Sequence, residues 1–322
     1  MKINQLDLFS GIGGFHLGFE RAGYKVTSFF SEIDKHAIAV YKHQFPNSTY
    51  VGSVTDVRGS ELPRIDLITF GSPCQDFSLA GKRKGMEGER SSLILEAIRL
   101  IGECRPRVFV WENVKGTFSS NNGEDFTAIL QAFANIGGYR LEWQLLNTSW
   151  FLPQNRERIY LVGYSTTTKR NWRGVFPIRE ANQSNSELER PGKAVTKCLT
   201  ARGQEGHAGM QLVKVKQIGT KLDSNGGTQP YQQDRVYDAD GLVPALNQGK
   251  SDLIIKNNYR IRRLTPIECE RLQGFPDNHT AFGIYDDQKK PMSNTQRYKQ
   301  CGNAVTVDVV QAVAEQCKPL FK

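Results

Sequence analysis

A chain of 322 residues that is 39% hydrophobic can bury one large core and a smaller second lobe, and 23% charged with 10% aromatic residues excludes disorder on a large scale. Its formal net charge of +9 is one-sided: residues 156–263 hold 19 Lys and Arg against 10 Asp and Glu, and the remainder is balanced. No apolar run approaches the ~20 residues of a membrane span. Six cysteines (Cys74, Cys104, Cys198, Cys269, Cys301, Cys317) without a C-x-x-C pair, beside five scattered histidines, argue against a metal site or a disulfide framework.

The opening Met1–Asp7 lacks the basic start and apolar stretch of a secretory signal, so a cytoplasmic protein is expected. Gln5–Phe9 reads as a strand, followed by a glycine-rich turn and a helix through Gly18–Ala22. Val26–Ser31 is a strand, Ala37–Gln44 a helix, Ile65–Phe70 a strand, Leu93–Cys104 a helix and Val108–Trp111 a strand. Phe126–Ile136 follows as a helix, with strands around Leu141–Asn147 and Ile159–Val162. This alternation predicts an α/β fold: a doubly wound, mostly parallel sheet of Rossmann-like type, with helices on both faces.

From about residue 170 Gly, Asn, Gln and Ser become frequent and helical periodicity is lost, so residues 171–258 look like an inserted or appended lobe, irregular and β-rich. Its one-sided positive charge points to a polyanion, nucleic acid above all, as partner. Helical patterns return at Thr265–Leu272, where Thr265-Pro266-Ile267-Glu268 spells a capping box, and at Val305–Gln316. The expected division is a catalytic domain of residues 1–170 with 290–322, and a target-recognition domain with hinge at 171–289.

Two strand ends carry a nucleoside-binding signature. Asp7-Leu8-Phe9-Ser10-Gly11-Ile12-Gly13-Gly14 closes the first strand in a turn where the backbone can approach a ligand, and Glu32 ends the second strand, where an acid can bind ribose hydroxyls. The dinucleotide fingerprint would need a glycine where His16 stands. A nucleoside cofactor without a pyrophosphate fits better, and S-adenosylmethionine is one. Gly249-Lys250-Ser251 is no P-loop, because Pro244 occupies the position of its first glycine.

Two further strand ends carry reactive groups. Gly71-Ser72-Pro73-Cys74-Gln75 puts a thiol on a constrained loop at the carboxyl edge, and Glu112-Asn113-Val114 ends the neighbouring strand at the same edge. Arg156 and Arg158 are two apart and share a side if the chain is extended. These groups suit methylation of cytosine at C5, a carbon too weakly nucleophilic to react unaided. A thiolate added at C6 makes C5 an enamine carbon, a carboxylic acid protonates N3, and a guanidinium at O2 steadies the charge.

The chain resembles the bacterial and phage DNA cytosine-C5 methyltransferases over nearly its whole length. The matching segments, in the family's order and spacing, are Asp7–Gly14, Gly71–Ser78, Glu112–Val114, Gln154–Tyr160, Arg263–Pro276 and Gly302–Val305. The resemblance implies Cys74, Glu112 and Arg158 as catalytic groups, with Gln154 and Arg156 supporting Arg158. It implies cofactor contacts at Phe9, Gly11, Gly13, Gly14, Glu32, Ile33, Ser53, Val54, Pro73 and Asn303. DNA contacts are expected at Gln75, Ser78, Lys82, Arg83 and Arg90, in a loop that closes over DNA. Further DNA contacts are expected at Gln232, Gln233 and Arg235. The implied partner is double-stranded DNA, the implied enzyme a monomer, with a cognate restriction endonuclease acting separately. Two departures stand out: Ser53 replaces an acid common beside the adenine, and Ala245-Leu246 replaces a usual Thr-Leu pair. The rival readings are an RNA cytosine methyltransferase and a DNA-binding protein without activity; the long 171–258 segment speaks against the first, and Cys74, Glu112 and Arg158 together against the second.

Overall fold

The computed structural model describes residues 1–72, 92–167, 174–179 and 264–322, with the backbone alone of five strands between residues 217 and 263. The first half alternates as β1 (Lys2–Leu8), α1 (Gly14–Arg21), β2 (Lys25–Ser31), α2 (Lys35–Gln44), β3 (Thr49–Tyr50), β4 (Leu67–Gly71), α3 (Ser92–Cys104) and β5 (Val108–Val114). It continues with α4 (Glu124–Asn135), β6 (Tyr139–Asn147), β7 (Gln154–Asn155) and β8 (Glu157–Ser165). The later elements are β9 (Gln217–Thr220), β10 (Arg235–Asp238), β11 (Val243–Pro244), β12 (Ile254–Asn257), β13 (Arg260–Arg263), α5 (Pro266–Leu272), β14 (Phe282–Tyr285), β15 (Gln288–Pro291), α6 (Asn294–Asn303) and α7 (Val307–Cys317).

Seven strands form one sheet in the order β3-β2-β1-β4-β5-β8-β6. All its strands run parallel except β8, which is antiparallel to both β5 and β6. A strand covered on both faces must be apolar at nearly every position, and Val108-Phe109-Val110-Trp111 meets that demand. Val108 and Val110 share a core with Phe15 and Phe19 of α1 and Val309 and Val313 of α7, whereas Phe109 and Trp111 join Ile101 of α3 and Phe133 of α4. The expected doubly wound sheet is therefore present. A second, smaller sheet of β13-β12-β10-β9 lies in the later half, and β11 pairs in parallel with β7. Among the described residues no helix is long and apolar enough to cross a membrane.

Three local differences from the sequence reading have plain causes. The strand expected to stop at Trp111 runs on to Val114, because pairing with β8 continues through Glu112 opposite Tyr160 and Val114 opposite Arg158. The helix expected over Val305–Gln316 starts at Val307 and is preceded by α6, whose sequence NTQRYKQCGN has no apolar stripe. The β14–β15 hairpin has no local signal in the sequence: its turn residues Asp286 and Asp287 take φ of +46° and +59°, which suits the strand twist, but no glycine marks the turn. The capping box of α5 forms as spelled: Thr265 Oγ1 accepts from Glu268 N at 3.3 Å, and Glu268 Oε2 accepts from Thr265 N at 2.7 Å.

Residues 264–322 pack on the first half of the chain. The ring Nε2 of His279 donates to Ile12 O at 2.9 Å, and Val307 N donates to Gln273 O at 2.9 Å. Burial pushes His279 down to about 4, so the ring is neutral at physiological pH. Gly18 of α1 leaves room for Val310 of α7, which lies where a side chain would stand.

Beneath the sheet's carboxyl edge, Asp7 is wholly buried. Thr69 Oγ1 donates to it at 2.8 Å and Tyr41 Oη at 3.3 Å, while Gln5 Nε2 donates to Thr69 Oγ1 at 2.7 Å. Burial outweighs these hydrogen bonds and pushes the Asp7 carboxyl up to about 8. The unfolded chain releases this proton near 3.8, so the contribution of Asp7 to stability is full below that pH and is lost as the pH rises toward about 8. Asp7→Asn removes the titration and keeps the shape. Urea-denaturation free energies should show the variant gaining on the parent as the pH rises from about 5 to about 8. A parent–variant difference that does not change with pH sinks the assignment.

Candidate active site

The carboxyl ends of β1, β2, β4 and β5 open into one cavity of about 510 Å³, closed on its far side by Arg156, Arg158 and the last turn of α6. The chain turns out of β1 with φ of +51° at Phe9 and +53° at Gly11, and no atom lies within 4 Å of where a Gly11 side chain would stand. Backbone is therefore laid open to the cavity there. Glu32 braces this turn. Its Oε2 accepts from Gly11 N at 2.9 Å, and its Oε1 accepts from Ile33 N at 2.8 Å and Asp34 N at 3.0 Å. A carboxylate accepts about four hydrogen bonds, so capacity remains for a ligand hydroxyl.

Ile33 is 79% exposed and stands on the cavity wall, an apolar surface suited to a ring. Ser53 and Val54 line the same side; Ser53 Oγ pairs with Thr55 Oγ1 at 2.9 Å, and Thr55 donates to Asp56 Oδ1 at 3.2 Å. Of the expected cofactor residues, Phe9, Gly11, Glu32, Ile33, Ser53, Val54 and Asn303 meet at the cavity. Gly13 and Gly14 do not line it. Phe45 occupies the space of a Gly13 side chain and Val305 that of Gly14, so both serve close packing around α1.

At the other end of the cavity, Arg158 Nε stands 3.1 Å from Glu112 Oε1 in a mostly buried ion pair. Gly71 lies opposite Glu112 in the ladder, and a side chain there would stand 3.1 Å from Glu112 Oε2, so glycine leaves the carboxylate its room. Arg156 is 4% exposed, and its guanidinium donates to Ala304 O at 2.9 Å and Gly302 O at 3.4 Å. It thereby pins the end of α6, which carries Asn303. As expected from their spacing, Arg156 and Arg158 reach the same cavity.

Asp34, Lys299 and Gln300 are polar lining residues that the motifs do not announce. Lys299 Nζ meets Asp34 Oδ2 at 2.7 Å across the cavity rim, and Asp34 also caps α2 by accepting from His36 N and Ala37 N. Partial burial would raise the Asp34 carboxyl, but Lys299 and the two amides together hold it below its ordinary range. Gln300 is 6% exposed, and neither its Oε1 nor its Nε2 has a hydrogen-bond partner. Such an amide fits a polar ligand, because burial without one is costly. Only the aspartate carried a local signal, as an N-cap; Lys299 and Gln300 depend on α6, which has no apolar stripe to announce it.

Pro73, Cys74, Gln75, Ser78, Lys82, Arg83, Arg90, Gln232, Gln233 and Ala245 lie outside the described residues, and of Arg235 only the backbone, in β10, is described. The four described thiols are poor nucleophiles. Burial pushes Cys104 up to about 11 and Cys269 up to about 12, and raises Cys301 and Cys317 as well. Among the described residues no group of three or more His, Cys, Asp or Glu is placed to hold a metal ion.

The family profile described as C-5 cytosine-specific DNA methylase matches residues 3–319. The type II methyltransferase M1.ScrFI of Lactococcus lactis subsp. cremoris is 34% identical over 98% of this chain and 78% of its own length. The type II methyltransferase M.NlaX of Neisseria lactamica is 34% identical over 97% of this chain and 95% of its own. Among solved structures, the S. pombe Dnmt2 methyltransferase shares the fold with a TM-score of 0.69, at 20% identity, over 99% of this chain and 100% of that one.

The hold of Arg156 on Gly302 and Ala304 predicts a stability effect that does not depend on any ligand. Arg156→Ala leaves two inward carbonyls without their charged donor and should cost about 3 kcal/mol in urea denaturation. Arg156→Lys should recover less than half of that, since one ammonium cannot reproduce the planar fork. An alanine variant as stable as the parent would show that the end of α6 is held by other contacts.

Proposed function

The chain belongs to the C-5 cytosine-specific DNA methylases and is a DNA (cytosine-5-)-methyltransferase, and from that premise we propose that it methylates a cytosine turned out of a specific duplex DNA sequence, with Cys74 as nucleophile. The observation that carries this reading is the Glu112–Arg158 pair, held 3.1 Å apart at the cavity end where β4 hands the chain on toward Cys74. The Cys74 thiolate forms a C–S bond at C6, and the ring electrons move toward N3, which takes the proton of Glu112. Arg158 sits at O2, where it orients the base and steadies the charge. C5 is now an enamine carbon. Once C5 carries its methyl, water takes the C5 proton, the C–S bond breaks to expel the thiolate, and N3 returns its proton to Glu112, so the ring is restored and Cys74 is freed.

S-adenosylmethionine, when bound, supplies the methyl group. The cavity fits it: Glu32 retains acceptor capacity for ribose hydroxyls, Ile33, Ser53 and Val54 offer a wall for the adenine, and Phe9, Gly11, Asn303 and the unpaired Gln300 amide face the remaining space. Arg156 acts through the end of α6, where it grips Gly302 and Ala304 on either side of Asn303 and holds Asn303 in place.

Residues 171–258 read the DNA in this proposal, with the excess positive charge of residues 156–263 meeting phosphates. Gln75, Ser78, Lys82, Arg83 and Arg90 contact the strands near the target, Gln232 or Gln233 fills the gap left by the extruded base, and Arg235 stands in the recognition lobe. Extrusion costs a few kcal/mol, which these contacts offset. The relatives are named as type II methyltransferases. By that analogy the enzyme acts as a cytoplasmic monomer whose marks protect DNA from a separate cognate endonuclease.

Cys74→Ser should abolish transfer while DNA binding survives, and Glu112→Gln should slow transfer by roughly 10² or more. Duplex DNA carrying 5-fluorocytosine at the target cannot lose a proton from C5, so a stable adduct should accumulate at Cys74. Mass spectrometry that maps the adduct to any other cysteine sinks the nucleophile assignment.

Exchange of residues 171–258 for the matching segment of a relative should change which cytosines are methylated and leave the chemistry intact. DNA binding should weaken steeply with added salt as counterions compete for the phosphates. An active chimera that still methylates the parent's sites would place specificity outside this segment.

A further inference from the structure

Glu112 lies between two residues that share one partner. Ser72, the residue at which the chain leaves β4, accepts from Trp111 Nε1 at 2.9 Å and from Asn113 Nδ2 at 3.2 Å. All three are buried, with Trp111 at 0%, Asn113 at 1% and Ser72 at 5% exposure. Side chains alternate along a strand, so the neighbours of Glu112 point to one face of the sheet while its carboxylate points to the other, beside Gly71. Asn113 Oδ1 also accepts from Val114 N at 2.7 Å and Thr117 Oγ1 at 3.4 Å, which carries the network into the turn after β5.

The backbone ladder already pairs β4 with β5, and Trp111 otherwise sits in an apolar cluster with Phe70 and Phe133. Apolar packing alone would hold the two strands together. A hydroxyl whose two lone pairs are both occupied adds direction: it allows one rotation and one register of the strand ends. We propose that Ser72, with Trp111 and Asn113, is a positioning group for Glu112, which locks the end of β4 to the end of β5 so that the carboxylate keeps its place beside Arg158. The same lock fixes the point from which the chain departs toward Cys74. The inference rests on the reading of Glu112 as the acid.

The test compares Ser72→Ala, Ser72→Thr, Trp111→Phe and the Ser72→Ala/Trp111→Phe double variant. Rates are measured as labelled methyl transfer from S-adenosylmethionine to unmethylated genomic DNA at saturation. S-adenosylhomocysteine affinity and thermal melting are measured on the same proteins. Ser72→Ala should lower kcat about tenfold, the scale of a small misplacement of a reacting group, with KM for DNA and cofactor-product affinity within about twofold of the parent. Ser72→Thr keeps the hydroxyl and should recover most of the rate. The double variant should be no slower than Ser72→Ala, because Ser72→Ala already removes the hydrogen bond that Trp111→Phe breaks.

A merely structural role would lower the melting temperature and leave kcat of the folded enzyme unchanged. If Ser72→Ala fails to fold, Trp111→Phe decides the matter with an expected drop of about threefold in kcat. A kcat within twofold of the parent in Ser72→Ala, or in Trp111→Phe alone where that decides, overturns the proposal, as does a loss that appears only in KM. Glu112→Gln separates the two layers. Normal turnover in Glu112→Gln defeats the acid reading and this inference with it, whereas a crippled Glu112→Gln beside a normal Ser72→Ala defeats the positioning role alone.

Discussion

The reversal of one strand determines what the cavity can contain. In a wholly parallel sheet the first residues of every strand lie at the edge away from the ligand. Because β8 runs antiparallel to β5, its first residues arrive at the carboxyl edge instead, and Val114 stands opposite Arg158 while Glu112 stands opposite Tyr160. Carboxylate and guanidinium are then diagonal neighbours on one face, the arrangement that cross-strand pairs favour. A slip of one residue would turn Arg158 to the other face and leave Glu112 without its cation.

The far wall of the cavity is built by the end of the chain, which makes the site a product of closure. Arg156, just before β8, reaches the carbonyls of Gly302 and Ala304 across 146 and 148 residues of sequence. Thr148 and Thr306 share a hydrogen bond at 2.9 Å, and Thr306 Oγ1 donates to Gln273 Oε1 at 3.0 Å, so the segment around α5 is tied into the same junction. β11, from the segment proposed to read DNA, pairs with β7 directly ahead of Arg156. Backbone pairing thus ties β11 to the two residues that lead into Arg156.

Among the described residues, two sets of ionisable groups stand apart in their surroundings. Asp7, His279 and the four described thiols are deep enough to stay uncharged at neutral pH, and they act as packing or as hydrogen-bonding parts of the interior. Glu32, Asp34, Glu112 and Arg158 stand at the cavity, each in contact with an opposite charge or with backbone amides. Polar contacts thus gather at the cavity, although an ion pair also lies in the interior, where the wholly buried Glu270 meets Arg297 at 2.9 Å.

The sequence by itself determined the alternation of strands and helices, because the period of apolar residues is a local property: Val108–Trp111 is apolar throughout since both its faces are covered, and α5 is announced by its own capping box. It also placed Gly11, Glu32, Glu112 and the Arg156–Arg158 pair at the same edge, since each stands at the end of a legible strand and strand ends converge in this fold. It could not reveal α6, whose residues are held by contacts to Leu264, Asp34 and Glu270 and carry no apolar stripe. Lys299 and Gln300, which α6 carries to the cavity, were lost with it. Nor could it separate glycines that border the cavity from those that face a side chain, because Gly13 and Gly14 are small on account of Phe45 and Val305, which lie far along the chain. The Ser72–Trp111–Asn113 contact has the same character. Its partners are about 40 residues apart and meet only when β4 and β5 pair in one register, so the tertiary structure alone decided it.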